Sequence, residues 1–191
     1  MLKKLSPYIP FIVIFVFLTI WTIGIRYWSI ESIVGVLGVH NAYALIFLLA
    51  LLGGMTTFSG VPYHLVLVTF AAGGLNPWLL GPLTAVGVML GDSTSYYLGY
   101  TGSGFVPDRI HTALARLTKL NKQHPKLLPL AFLGYGTLLP FSNDFITIPM
   151  GVLKYPFWRV IIPLGIGNLI FNTALAFLAI YAHDFILNIF S

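Results

Sequence analysis

The chain contains no cysteine. That absence removes disulfide frameworks and thiolate metal or redox sites together. Charge is almost as scarce. Charged residues make up 8% of the 191 positions, and only five are acidic, against about 25% charged in soluble domains. With 58% hydrophobic residues and a mean hydropathy of +0.90, the chain reads as an integral membrane protein. Its length fits one domain. The net charge of +5 does not point to nucleic acid. In a membrane chain, basic residues report which ends face the cytoplasm.

What is present is a series of interrupted apolar runs. Pro140–Gly151, PFSNDFITIPMG, places Ser142, Asn143 and Asp144 side by side in apolar surroundings. Proline removes a backbone donor and clashes with the turn before it. An ionised carboxylate in hydrocarbon is turned towards protein or water. The stretch reads as a broken, re-entrant segment lining a polar cavity. Thr56–Gly74, TTFSGVPYHLVLVTFAAGG, has the same grammar, with His64 as its ionisable side chain.

In chain order, Tyr8–Ile25 reads as a retained transmembrane helix. Prolines precede it, no small-x-small cleavage site follows, and Arg26, Tyr27 and Trp28 form an interfacial anchor. Trp28–His40 is interfacial and completes an N-terminal unit, 1–40. Asn41–Gly54 and Pro62–Gly74 are too short to cross a ~30 Å hydrocarbon core and read as a hairpin. Pro77–Tyr100 is long enough to cross, and Pro77 suits a first helical turn. Residues 101–126 form a basic amphipathic linker. Ile110, Ala113, Leu114 and Leu117 share one face, and Arg109, Arg116, Lys119 and Lys122 lie around it, placed for anionic headgroups. Leu127–Leu139 and Ser142–Leu153 form a second hairpin. Pro156–Ala182 is the last crossing, ended by His183 and Asp184.

The predicted fold class is therefore an all-α integral membrane protein. Two re-entrant helical hairpins are each followed by a full transmembrane helix, with an N-terminal transmembrane helix and a cytoplasmic amphipathic helix added. The membrane domain covers 41–191, with halves at 41–100 and 127–182. Placing the N-terminus in the cytoplasm and the C-terminus outside puts Arg26 alone of the ten basic residues on the outer side, as the positive-inside rule asks. The expected location is the cell (inner or plasma) membrane.

A shift of 80 residues superposes the halves in kind. Thr57 falls on Thr137, Gly54 on Gly134, Trp78 on Trp158 and Gly87 on Gly167. Asp92 falls on Asn172 and His64 on Asp144. The assigned topology makes the copies opposite in orientation. Inverted repeats with broken helices are a transporter architecture.

GVMLGDSTSYYLGY, Gly87–Tyr100, resembles the G-x-x-x-G-D-x-x-x-Y-x-x-G-[RY] stretch of the DedA family, also called VTT-domain proteins. PFSNDFITIPMGVLKYPFWRV, Pro140–Val160, resembles its second hairpin and the aromatic start of the last helix. The resemblance covers residues 41–182. It implies two opposed re-entrant hairpins and movement of lipids or lipid-linked carriers such as undecaprenyl phosphate. It also implies, for some members, a link to proton-motive force. The chain departs from the family pattern in two places. Many members carry an acid in the first hairpin and two arginines around the second. Here the first holds Thr57, Ser59 and His64, and the second holds Asn143 and Asp144 where an arginine is expected.

The candidate pathway residues are Asp144, Asp92, Asn143, His64, Ser142, Asn172, Asn168 and Tyr96. Asp144 either takes a proton or pairs with a cationic or hydroxyl group of a substrate, or it caps the helix that follows. Asp92, with Ser95 and Tyr96 one turn on, is half of a relay or a packing contact. Asn168 and Asn172, four apart, line a cavity or bond between helices. His64 titrates near neutral pH or is structural. No pair on one element has metal-ligand spacing. Ser142 and Ser59 lack a nearby His–Asp set, and Gly99, Gly102 and Gly104 are no dinucleotide fingerprint. Neither an enzyme nor a cofactor is expected. The expected partners are membrane lipids, a lipid-linked phosphate carrier and protons. The expected function is a lipid or lipid-carrier translocase of flippase or scramblase type. The alternatives are a proton- or ion-coupled transporter of a small solute and a membrane assembly factor that transports nothing.

Overall fold

The structure, a computed structural model, describes residues 30–55, 62–105 and 123–190, together with Phe15, Val16, Thr19, Ile20 and Ile23. The expected helix 8–25 as a whole lies outside the described residues. So do Thr57 and Ser59 of the first break, and Arg109, Arg116, Lys119 and Lys122 of the amphipathic linker. Every regular element described is helical: α1 Ile30–Leu37, α2 Val39–Met55, α3 Tyr63–Ala72, α4 Pro77–Gly102, α5 Leu127–Leu138, α6 Asp144–Val152 and α7 Trp158–Phe190.

Local chemistry sets the boundaries. Gly38, at φ +77°, separates α1 from α2. The Asn76 side chain accepts from the Trp78 N–H at 2.9 Å, and Pro77 fills the first turn, so α4 starts there. Leu139 is extended, at φ −110° and ψ 122°, as the residue before a proline prefers; α5 stops there. Proline alone does not break these helices, since Pro82, Pro149 and Pro163 lie inside α4, α6 and α7. One expectation needs correcting. α7 does not end at His183 and Asp184 but runs on to Phe190, because HDFILNIF contains no glycine or proline to stop it.

Among the described residues, Trp158–Ala182 is the helix long and apolar enough to cross a membrane, with a mean hydropathy of 1.8. α4 has the length, 26 residues, but Asp92, Ser93, Thr94 and Ser95 dilute its apolar character. The outward faces of both helices are apolar. Leu79, Val86, Leu90 and Leu98 of α4 are exposed, as are Ile162, Ile166, Ile170 and Leu178 of α7. Contiguous exposed apolar surface of this kind marks a contact with lipid or protein.

Glycine contacts give the directions of packing. Gly81 lies against Thr173, and Met89 against Gly165. One partner rises by eight as the other falls by eight, so α4 and α7 are antiparallel. Gly87 lies against Ala50 and Gly91 against Gly54, so α2 runs with α4. Asn143 meets Asp92, Ile148 meets Gly99 and Lys154 lies over the Tyr100 ring, so α6 runs with α4. α5 packs on α7, as does α3. Each long helix thus holds the first short helix of its own half and the second short helix of the other half.

The halves agree in detail. The turn after α3 has Gly73 N–H donating to Thr69 O, Gly74 to Ala71 O and Leu75 to Phe70 O. Eighty residues on, Leu153 donates to Pro149 O, Lys154 to Gly151 O and Tyr155 to Met150 O. This is a Schellman-type ending, which needs one left-handed residue; Gly74 (φ +90°) and Lys154 (φ +52°) supply it. Two apolar clusters also correspond. Phe70, Leu75 and Leu80 of the first take the places of Met150, Tyr155 and Val160 of the second.

The first helices obey a different offset. Ala42 and Ile46 of one cluster correspond to Leu128 and Phe132 of the other, and Gly87 meets Ala50 as Gly167 meets Gly136. The identity Gly54–Gly134 is therefore not an equivalence. Gly54 is pressed against Val88 O, whereas a methyl group added at Gly134 would meet nothing within 4 Å.

Candidate functional site: a buried polar cluster between the halves

The polar cluster lies between the two apolar ones. Asp92 of α4 is buried to 2% exposure. Its Oδ2 accepts a hydrogen bond from Asn143 Nδ2 at 2.7 Å, which joins the start of α6 to α4. Asn143 is the N-cap residue of α6, yet its side chain makes no cap bond. An asparagine there normally satisfies the first backbone donors, worth about 0.5–2 kcal/mol. Here that amide is diverted to Asp92. Ser142 partly stands in, its Oγ accepting from the Asp144 N–H at 3.2 Å, and Thr147 Oγ1 donates to Asn143 O at 3.2 Å.

Asp144 is buried in the first turn of α6, where a carboxylate meets the positive end of the helix dipole. It lies within electrostatic reach of Asp92 and of Tyr135. Tyr135 OH donates to Ser142 O at 2.8 Å and so ties α5 to the break. Tyr63, the first residue of α3, is also within electrostatic reach of Asp92. From α7, Asn168 lies beside Asp92, and Asn172 Nδ2 donates to the Asn168 backbone O at 2.8 Å. Asn168 Nδ2 and Asn172 Oδ1 are buried with no hydrogen-bond partner among the described residues. Asn168 is turned to Asp92, so the acceptor left open to water or a ligand is Asn172 Oδ1; an orphaned buried polar atom costs about 1–3 kcal/mol.

Two exposed tryptophans mark the position of the cluster along the long helices. Trp78 packs edge-on against Phe177 at 5.1 Å, and Trp158 opens α7. At 1.5 Å per residue they stand about 28 Å apart along α7, close to the ~30 Å of a hydrocarbon core. Asn168 lies about 15 Å from Trp158 on the same scale, near the midpoint.

The remaining sequence candidates lie around this cluster. His64 is half-buried. Its ring sits 4.0 Å from that of Tyr63 and meets Phe171 edge-on at 5.5 Å, so it adjoins the cluster through Tyr63. Tyr96 leads away from Asp92. Its OH donates to Tyr155 O and its ring packs on Phe157 at 5.2 Å, inside the second apolar cluster. Ser95 Oγ donates to Met55 O at 2.6 Å and holds the end of α2. Sequence reasoning missed Tyr63, Tyr135 and Thr147. Tyr63 carried a signal, since the 80-residue shift sets it opposite Asn143. Among the described residues no three acids or histidines gather as a metal site would require.

Apolar outer faces surround one carboxylate, Asp92, and two amides, Asn168 and Asn172, buried midway along two long helices, as in a helical membrane protein. The profile of the VTT domain matches residues 61–181, more than half the chain. The protein therefore belongs to the VTT-domain, or DedA, family. No curated protein and no solved structure gives a significant match.

Proposed function

We propose that the protein moves a membrane lipid or lipid-linked carrier across the bilayer. The headgroup would pass through the polar cluster while the acyl chains stay in the membrane. The observation that carries this reading is the Asn143–Asp92 bond, with Asn168 beside Asp92 and the orphaned Asn172 oxygen next to it, midway between Trp78 and Trp158. The short helices support it. α3 has 10 residues and α6 has 9, about 15 Å each and half a bilayer core. They enter from opposite ends and act as re-entrant arms around the cluster. The described basic residues Lys126, Lys154 and Arg159 lie at the Trp158 end, which becomes the cytoplasmic side.

The cluster also favours one headgroup chemistry. Asn143 and Asp144 stand where the resemblance to the family leads one to expect an arginine, and the described basic residues are all exposed. Carboxylate and amide oxygens suit a headgroup that donates, a hydroxyl or an ammonium, better than a bare phosphate. The missing arginine also supports a second reading, a proton- or ion-coupled transporter of a small cationic solute.

Reconstituted vesicles with labelled lipid, with and without a pH gradient, test the proposal. Lipid movement is expected with the native protein and not with Asn143→Ala. Solute counterflow without lipid movement favours the second reading. If vesicles holding the native protein behave as empty ones do towards both, and Asp92→Asn and Asp144→Asn retain biological activity, the protein is an assembly factor instead.

A further inference from the structure

α5 and α7 leave between them an open groove of ≈ 550 Å³. Lys126 and Arg159 stand at one end of it, and Leu130, Leu133, Pro163 and Ile166 line the rest. The two walls are in step: Lys126 faces Arg159's level, Leu130 that of Pro163 and Leu133 that of Ile166, so the helices run the same way. Both cations therefore sit where a helix begins, Lys126 just before Leu127 and Arg159 just after Trp158. That is the wrong end for a positive side chain, because the helix dipole is positive there. The acids whose side chains are described, Asp92 and Asp144, are buried in the central cluster, so neither cation has a carboxylate partner among the described residues.

We propose that this groove holds one anionic phospholipid at the cytoplasmic side, outside the transport pathway. Its phosphate sits between Lys126 and Arg159, and one acyl chain lies along the apolar wall. Two cations and two helix starts converge on the headgroup position. The wall beyond them offers an acyl chain surface and no hydrogen-bonding side chain. By sequence, residues 106–122 are cationic, with Arg109, Arg116, Lys119 and Lys122 against one acid, Asp108, and supply no anion to answer Lys126 and Arg159. Zwitterionic lipid supplies the chain but a weaker anion. Inorganic phosphate supplies the anion without the chain.

Native mass spectrometry of the detergent-solubilised protein, titrated with phosphatidylglycerol or phosphatidylcholine, tests this. The native protein should retain one phosphatidylglycerol at least tenfold more tightly than phosphatidylcholine. Lys126→Gln with Arg159→Gln should remove that preference, and both positions are exposed, so the fold is spared. Leu133→Trp, which fills the groove and keeps both cations, should weaken phosphatidylglycerol as well. Inorganic phosphate should not displace the lipid. Unchanged phosphatidylglycerol binding in the double variant overturns the proposal, and so does full displacement by inorganic phosphate. Because the readout is binding and not transport, its failure is separate from failure of the translocase reading.

Discussion

The two hairpins share a scaffold and differ in chemistry. Both end in the same hydrogen-bonded turn, both contribute to an apolar cluster, and both lay their second helix on the long helix of the other half. They part at the first residues of that second helix. The first hairpin opens α3 with Tyr63 and His64, which make ring contacts reaching Phe171. The second opens α6 with Asn143 and Asp144, which reach Asp92 through a hydrogen bond and a charge. Packing positions repeat because two copies of one backbone need the same close approaches. The polar positions repeat but their chemistry does not, with Asp92 against Asn172 and His64 against Asp144, so the site is asymmetric about the centre of the molecule.

The largest effect should come from the seam of the second hairpin. Gly151→Ala puts a methyl onto the Tyr96 carbonyl and should cost about 3 kcal/mol, at the upper end for overpacking, seen as a lower melting temperature in detergent. Gly134→Ala is its control. Open space surrounds that position, and the better helix former should add about 0.5–1 kcal/mol. Next comes the polar link. Asn143→Ala removes the 2.7 Å donor to Asp92 and should lose about 1–3 kcal/mol, with lipid movement down more than tenfold in vesicles. The mate of Asp144 in the first hairpin should behave differently. His64→Phe keeps the ring contacts and should leave transport within about twofold, a change worth less than about 0.5 kcal/mol. Equal losses from both would erase the asymmetry.

Asn172→Leu should separate stability from function. Losing the orphaned oxygen offsets losing the bond to Asn168 O, so stability should move by less than about 1 kcal/mol while transport falls. The smallest effects concern the turns. Lys154→Gly relieves a left-handed lysine but gives up its contact over the Tyr100 ring at 5.4 Å, for a net gain below about 1 kcal/mol. Gly74→Ala should move the other way, by about 1 kcal/mol.

Much of this was legible in the sequence. Prolines and glycines between apolar runs placed α2 to α6 to within a few residues, and missed the end of α7 by eight. Buried acids in an apolar chain pointed to Asp92 and Asp144, because such groups are costly unless they have partners. Directions of side chains were less legible. Ser95 and Tyr96 follow Asp92 by one turn, yet a helix face is wide enough for neighbours to serve different partners, a carbonyl of α2 and one beside α7. The repeat was half legible. A fixed shift of 80 matches the second short helices and the long ones but not the first, because the breaks between short helices differ in length. A comparison without gaps then credits coincidences such as Gly54 with Gly134.

The Trp78 and Trp158 anchors belong to opposite strokes of the chain, fastened where Gly81 meets Thr173 and Gly165 meets Met89. Their spacing is therefore a property of the α4–α7 seam and not of either helix alone. Any rocking of one half against the other must slide both anchors and change the width of membrane the molecule matches. In the translocase reading proposed above, bilayer thickness, through mismatch energies of a fraction of a kcal/mol per Å, would load such a rocking motion, and thin and thick membranes should favour different positions of the stroke.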